Sequence, residues 1–240
     1  MDTPIDPLAP LDPLVAAVIH DAKNALLALD TQLADIERRT ARFLDDECRT
    51  ARSVDPECRP ARADFSAARA TATRIAGQLT ELLTCFRAQQ GRLRLAIDDH
   101  DLSDFIDDLL AELGPPPAGI AFAVDRAAVD RLGAWAFDAY LVKLALLDTL
   151  RNAFRHARTG VRLGVDTPPE GGVRFSVADD GPGFPEAVLI GAVVQSGGEG
   201  TGLGLVFARL IAERHATPAG RHGRVELANH GGATLRLTLP

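Results

Sequence analysis

Apolar positions in the first third of the chain repeat with a helical period. From Leu14 to about Leu44, Ile19, Leu26 and Leu33 fall on one heptad position and Ala22, Leu29, Ile36 and Phe43 on the other. A second run, Phe65, Ala68, Ala72, Ile75, Leu79, Leu82 and Phe86, alternates spacings of three and four. Such seams belong to coiled coils and helical bundles. Asp12 and Pro13 suit the N-cap and first turn of the first helix. Pro56 and Pro60 are expected to break the pattern between the helices, and Gly91 to end the second. A single hairpin leaves apolar faces uncovered. A symmetric dimer forming a four-helix bundle would cover them.

Beyond Gly91 the period changes. Short alternating runs predict strands at Leu93–Ile97, Ile120–Val124, Val161–Val165 and Val173–Ala178. A closing hairpin is expected from Arg224–Ala228 and Thr234–Leu239, turned by Asn229-His-Gly-Gly. Helices are predicted at Leu102–Leu113, capped by Asp101 or Ser103 and stopped by Gly114-Pro-Pro-Pro, at about Ala136–Ala157, and at Leu203–Arg214. Antiparallel strands with helices on one face predict an α+β sandwich. The expected organisation is a tail over 1–13, a dimerising helical hairpin over 14–90 and an α/β sandwich domain over 91–240.

Composition narrows the function. A net charge of -7 argues against nucleic acid or an anionic membrane as the main partner. The segment Met1–Pro13 carries three aspartates and no Lys or Arg, unlike a signal peptide, and no apolar run approaches the ~20 residues of a membrane span. A cytoplasmic chain without membrane insertion is expected. Cys48, Cys58 and Cys85 form no C-x-x-C pair, so neither a disulfide framework nor a zinc site is indicated. Cys48 and Cys58 sit in a near-repeat, Glu47-Cys-Arg-Thr-Ala-Arg52 and Glu57-Cys-Arg-Pro-Ala-Arg62, read as a duplicated surface insertion, with an oxidant-sensing thiol pair as the alternative.

Four short blocks carry candidate chemistry: His20-Asp21-Ala-Lys-Asn24, Asp148-Thr-Leu-Arg-Asn152-Ala-Phe-Arg155-His156, Asp179-Asp-Gly181-Pro-Gly183, and Gly200-Thr201-Gly202-Leu203-Gly204-Leu. His20 lies beside the seam residue Ile19, so it projects from the bundle flank, with Asn24 one turn on. A neutral imidazole is a nucleophile, and the adjacent Asp21 can hold its other ring proton. Asp148 and Asn152 share a face of the predicted long helix, and the Asn152 carbonyl suits Mg²⁺. Asp179 ends a strand, where a carboxylate can accept from an exocyclic amine. Gly181 and Gly183 allow a sharp turn. Gly200, Gly202 and Gly204 open a helix, whose N-terminus favours an anion.

In this order the blocks resemble a sensor histidine kinase: a phosphoacceptor hairpin followed, over roughly 91–240, by a Bergerat-type ATP-binding domain. The resemblance implies ATP and Mg²⁺ as cofactors, His20 as the phosphorylated residue and a response-regulator receiver domain as partner of a homodimer. It also implies that Asn24 positions water for dephosphorylation. Asn152 would hold Mg²⁺, with Asp148 sharing the metal or its water and Arg155 and His156 near phosphate. Asp179 would recognise adenine. Gly200, Thr201, Gly202, Leu203 and Gly204 would cradle phosphate, and Phe184 to Glu199 would form a short lid. The commonest phosphoacceptor box has proline where this chain has Ala25, which implies a straighter helix. Two rival readings are a histidine phosphotransfer scaffold that no longer binds ATP, and a serine kinase or ATPase of the same superfamily.

Overall fold

A computed structural model of the chain describes Thr31 and residues 58–190 and 203–240. The chain divides into two compact units, Met1–Arg92 and Leu93–Pro240. Apart from Thr31, which is helical, the first predicted helix lies outside the described residues, as do His20, Asp21, Asn24 and Cys48.

In the first unit one long helix, α1, spans Cys58–Gln89. Pro60 does not interrupt it, contrary to expectation. It falls in the first turn, where its missing N–H would have no partner in any case. Gly91 ends the helix as predicted: at φ 67 it donates to Ala88 O at 3.0 Å, and Arg92 N donates to Arg87 O at 2.8 Å. Buried positions run Ala72, Ala76, Thr80 and Leu83, with Phe86 also buried. Ile75, Leu79 and Leu82 of the expected seam are half-buried instead. Cys85 is 1% exposed, and its thiol is pushed up to about 11 by burial and then by the Glu81 charge, so it stays protonated and unreactive.

The second unit is built on a five-stranded sheet. Alternation sets its inner face: Val161, Leu163 and Val165 on β4 (Gly160–Asp166), Val173, Phe175 and Val177 on β5 (Val173–Asp179), and Leu235, Leu237 and Leu239 on β7 (Ala233–Leu239) are all buried. Register stacks them, with Leu163 opposite Val177 and Phe175 opposite Leu237. β2 (Ala121–Val124) and β6 (Arg224–Asn229) complete the order β2-β4-β5-β7-β6. The β2–β4 pair is parallel and the others are antiparallel. Three helices, α2 (Leu102–Leu113), α4 (Ala139–His156) and α6 (Leu203–Arg214), cover the apolar face. Phe105, Phe137 and Phe175 meet at ring separations of 5.0, 5.7 and 6.0 Å, tying helix to sheet. The mixed α/β fold is therefore as expected.

Several elements differ from expectation. The strand expected over 93–97 lies further on, as β1 (Asp98–Asp101), paired antiparallel with β3 (Ala134–Phe137). The helix expected from Ala136 starts at Ala139, because residues 134–137 are strand β3. Between them α3 (Arg126–Leu132) was not foreseen, although Asp125 caps it through Ala128 N at 3.1 Å and Gly133 ends it at φ 66. Parallel pairing at β2 was also unexpected. A short helix, α5 (Glu186–Leu189), follows Pro185.

Asp138 sets the start of α4. Its Oδ1 accepts from Leu141 N at 3.0 Å and its Oδ2 from Ala96 N at 2.9 Å. Its own N–H donates at 3.0 Å to Nε2 of His215, which lies just past α6. The His215 Nδ1 is 2.7 Å from Ile211 O. Only a neutral ring with its proton on Nδ1 satisfies both bonds. Burial, at 3% exposure, pushes the His215 pKa below its ordinary value, against the pull of the Asp138 charge. The unfolded ring titrates near 6.5. Below that pH the unfolded chain binds a proton that the folded ring resists, so stability should be full above about 6.5 and fall as pH drops further. Urea midpoints for wild type and His215→Gln, compared between about pH 7.5 and 5.5, test this. The wild type should lose more stability than the variant over that interval; equal losses would contradict the assignment.

Candidate functional site

The blocks of the second unit converge at one end of the sheet. Asp179 closes β5, Asp148 to His156 form the second half of α4, and Leu203 and Gly204 open α6. Gly200, Thr201 and Gly202 lie outside the described residues.

Three glycines bring these pieces together because no side chain would fit. A Cβ on Gly204 would lie 1.8 Å from the Asp148 Oδ2. One on Gly181 would lie 2.3 Å from the His156 carbonyl oxygen. One on Gly232, in the β6–β7 turn, would lie 2.0 Å from the Asp179 carbonyl oxygen. Real Cβ contacts do not approach so closely, so backbone stands where side chains would otherwise be. Gly183 adds a conformational need, with φ 84.

Each acidic side chain has a distinct role in this packing. Asp148 is half-buried, and its Oδ2 accepts from Asn152 Nδ2 at 3.1 Å, one helical turn on. Burial pushes its carboxyl pKa up, while the nearby Arg151 and Arg155 charges and the Asn152 bond pull it down. Asp179 uses Oδ1 to accept from Gly181 N at 2.7 Å and Ala233 N at 3.2 Å. These two bonds fold the glycine loop back on the end of β5, and no described residue bonds to its Oδ2. Arg155 and His156 have exposed side chains at the end of α4. The part of His156 that meets the glycine loop is its carbonyl.

Sequence reasoning missed Asp180 and Asn229. Asp180 accepts from the N–H groups of Arg158, Thr159 and Gly160 at 2.8, 3.0 and 3.1 Å, and from the Thr159 hydroxyl. Those bonds, led by the Thr159 hydroxyl, hold its pKa well below the usual carboxylate range and fix the turn from α4 to β4. Asn229 pairs with the backbone of Phe184, accepting from its N–H at 2.8 Å and donating to its carbonyl at 3.0 Å. This anchors the segment that follows the glycine loop. Both partners are distant in sequence, at separations of about 20 and 45 residues, so no local signal marks them.

The Gly181 contact is with rigid backbone. Gly181→Ala should destabilise the fold by about 1–3 kcal/mol. Gly160→Ala, where the new Cβ would meet only Ala121 O at 3.8 Å, should be much milder. Urea unfolding of the two variants checks this, and equal effects would contradict the packing described.

Comparison with known proteins places this geometry. Residues 137–240 match the family described as histidine kinase-, DNA gyrase B-, and HSP90-like ATPase. The adaptive-response sensory kinase SasA of a Synechococcus species is 26% identical over 242 aligned residues, covering 95% of this chain and 59% of SasA. The sensor protein SphS of Synechococcus elongatus is 34% identical over 113 residues, 39% of this chain and 26% of SphS. The chain thus spans less than two thirds of either relative. A crystal structure of full-length ShkA in complex with AMPPNP shares the fold, with TM-score 0.52, 22% identity, and coverage of 91% of this chain and 44% of that one. The resemblance to the catalytic domain of sensor histidine kinases holds. Among the described residues no helix is long and apolar enough to cross a membrane.

Proposed function

From a histidine kinase-type ATPase domain spanning 137–240, we propose that this chain is the core of a two-component kinase, phosphorylating its own His20 from Mg-ATP and passing the phosphoryl group to an aspartate of a response-regulator receiver domain. The observation that supports this reading is the assembly of Asp148, Asn152, Asp179, Gly181 and Gly204 at one end of the sheet through side-chain hydrogen bonds and close contacts at the glycines.

Each group has a part in that reaction. Asp179 Oδ2 is left to accept from the adenine amine, while Oδ1 holds the loop. The N-terminus of α6, with Gly200, Thr201 and Gly202 before it, directs N–H groups and a positive dipole end at phosphate. Asn152 offers a hard carbonyl oxygen. Among the described residues no group of three or more His, Cys, Asp or Glu is placed to hold a metal ion. That fits Mg²⁺ held by Asn152 together with nucleotide phosphates and water, which is how this ion prefers to bind. Bound there, it would offset phosphate charge as the bond to ADP breaks. An imidazole nitrogen of His20 forms its bond to the γ-phosphorus as the oxygen of ADP leaves, and Asp21 accepts the proton that the other ring nitrogen gives up. Asn24 supports a second activity, hydrolysis of the partner's phosphoaspartate.

The segment 14–90 serves as the dimerising and phosphoacceptor unit, with 1–13 as a tail and 91–240 as the catalytic domain. The half-buried stripe Ile75, Leu79 and Leu82 on α1 supports a homodimer, because a second copy would bury it.

Incubation with γ-labelled ATP and Mg²⁺ tests the proposal. The wild type should sediment as a dimer and carry label, whereas His20→Gln should remain a dimer, bind ATP and carry none. Label on the variant, or a wild type that stays monomeric at micromolar concentration, would sink it. Asp179→Asn separates the base contact from the chemistry. Losing the acceptor for a buried amine should weaken ATP binding by a few kcal/mol, about a hundredfold. Titration calorimetry reads this directly, and wild-type affinity in the variant would remove Asp179 from the site.

A further inference from the structure

Asp148 and Asn152 lie one turn apart, and Gly204 opens α6. One oxygen links all three. Asp148 Oδ2 accepts the Asn152 Nδ2–H at 3.1 Å, and the same oxygen occupies the space where a side chain at 204 would begin, 1.8 Å from an ideal Cβ. A carboxylate only accepts hydrogen bonds, so it selects one of the two orientations of the Asn152 amide. Nδ2 must face Asp148, and Oδ1 must face away. Oδ2 is thus engaged by Asn152 on one side and lies close against Gly204 on the other.

We propose that Asp148 is a positioning residue: its Oδ2 holds the Asn152 amide with the carbonyl oxygen outward for the nucleotide-bound cation, and that oxygen does not ligate the cation. The inference rests on the reading of Asn152 as a Mg²⁺ contact. Gly204 is part of the device, because the bare backbone of α6 keeps the carboxylate pressed toward Asn152. The requirement at 148 is therefore an acceptor of aspartate's size, with negative charge secondary. Leucine matches the shape and removes the acceptor, whereas asparagine keeps an oxygen that can take the same N–H.

The test measures ATP affinity by calorimetry in Mg²⁺ and in EDTA, in the full chain. The ratio of the two is the metal-dependent gain. Asn152→Ala should abolish the gain. Asp148→Leu should reduce it ~10–100-fold, the usual cost of losing a residue that orients a metal ligand. Asp148→Asn should keep most of it. If Asp148→Asn falls as far as Asn152→Ala, the carboxylate acts through its charge on the metal and the proposal is wrong. It is equally wrong if Asp148→Leu keeps the full gain. Absence of a gain in the wild type, or its persistence in Asn152→Ala, would instead defeat the Mg²⁺ reading beneath it. Should Asp148→Leu fail to fold, side-chain amide NMR of the metal-free protein decides. One Asn152 amide proton should be shifted downfield and slow to exchange in both wild type and Asp148→Asn, and an unshifted, fast-exchanging pair in the wild type would overturn the proposal.

Discussion

Everything at the working end of this domain depends on the close approach of backbone to backbone and backbone to carboxylate. Gly181 lies against the carbonyl of His156, Gly232 against that of Asp179, and Gly204 against the side chain of Asp148. A methyl group at Gly181 or Gly232 would meet rigid backbone and push those elements apart, and one at Gly204 would displace the Asp148 carboxylate. Sites made this way are preorganised. The helix bearing Asn152, the strand bearing Asp179 and the helix that follows the glycine box have little freedom to drift. The cost falls on sequence choice, because Gly181 and Gly232 leave no space for a Cβ.

A second set of bonds keeps the layers in step further from the site. Asp138 joins Ala96, the first turn of α4 and the ring of His215 beyond α6. It starts one of the site's two helices and is tied to the end of the other. The start of α4 and the end of α6 thus share a fixed point away from the site, while Asp148, midway along α4, meets Gly204 in the first turn of α6. A buried polar network of this kind rigidifies when every member is bonded. In this one both ring nitrogens and both carboxylate oxygens have partners.

The hydrophobic pattern carried most of the fold. Period-2 alternation placed β4, β5, β6 and β7 to within a residue or two, since one face of each must be buried. Helices α2 and α6 were legible from caps and glycines. The failures cluster between residues 93 and 138, where the elements are short. Ala134-Trp-Ala-Phe137 reads equally well as the start of the next helix, and only its pairing with β1 and the cap at Asp138 decide otherwise. The site blocks were legible as motifs, because glycines and acids at fixed spacing are visible in one dimension. Their physical roles were not. That Asp179 bonds the N–H of Ala233, that Asp180 holds the turn after α4, or that Asn229 grips Phe184 depends on contacts across 20 to 54 residues. The half-buried stripe on α1 is likewise a property of the folded helix, while the heptad alone had marked the same residues as seam.

On the proposed reading, Mg-ATP binds at this end of the sheet. Backbone amide NMR during titration with a non-hydrolysable ATP analogue and Mg²⁺ tests it most directly. Saturable, one-to-one shifts are expected at Asp148, Asn152, Asp179, Gly181, Ala233 and Gly204, with Val173 at the opposite end of β5, and Gly172 before it, unmoved. Shifts concentrated at that opposite end, or no saturable shifts at all, would contradict it.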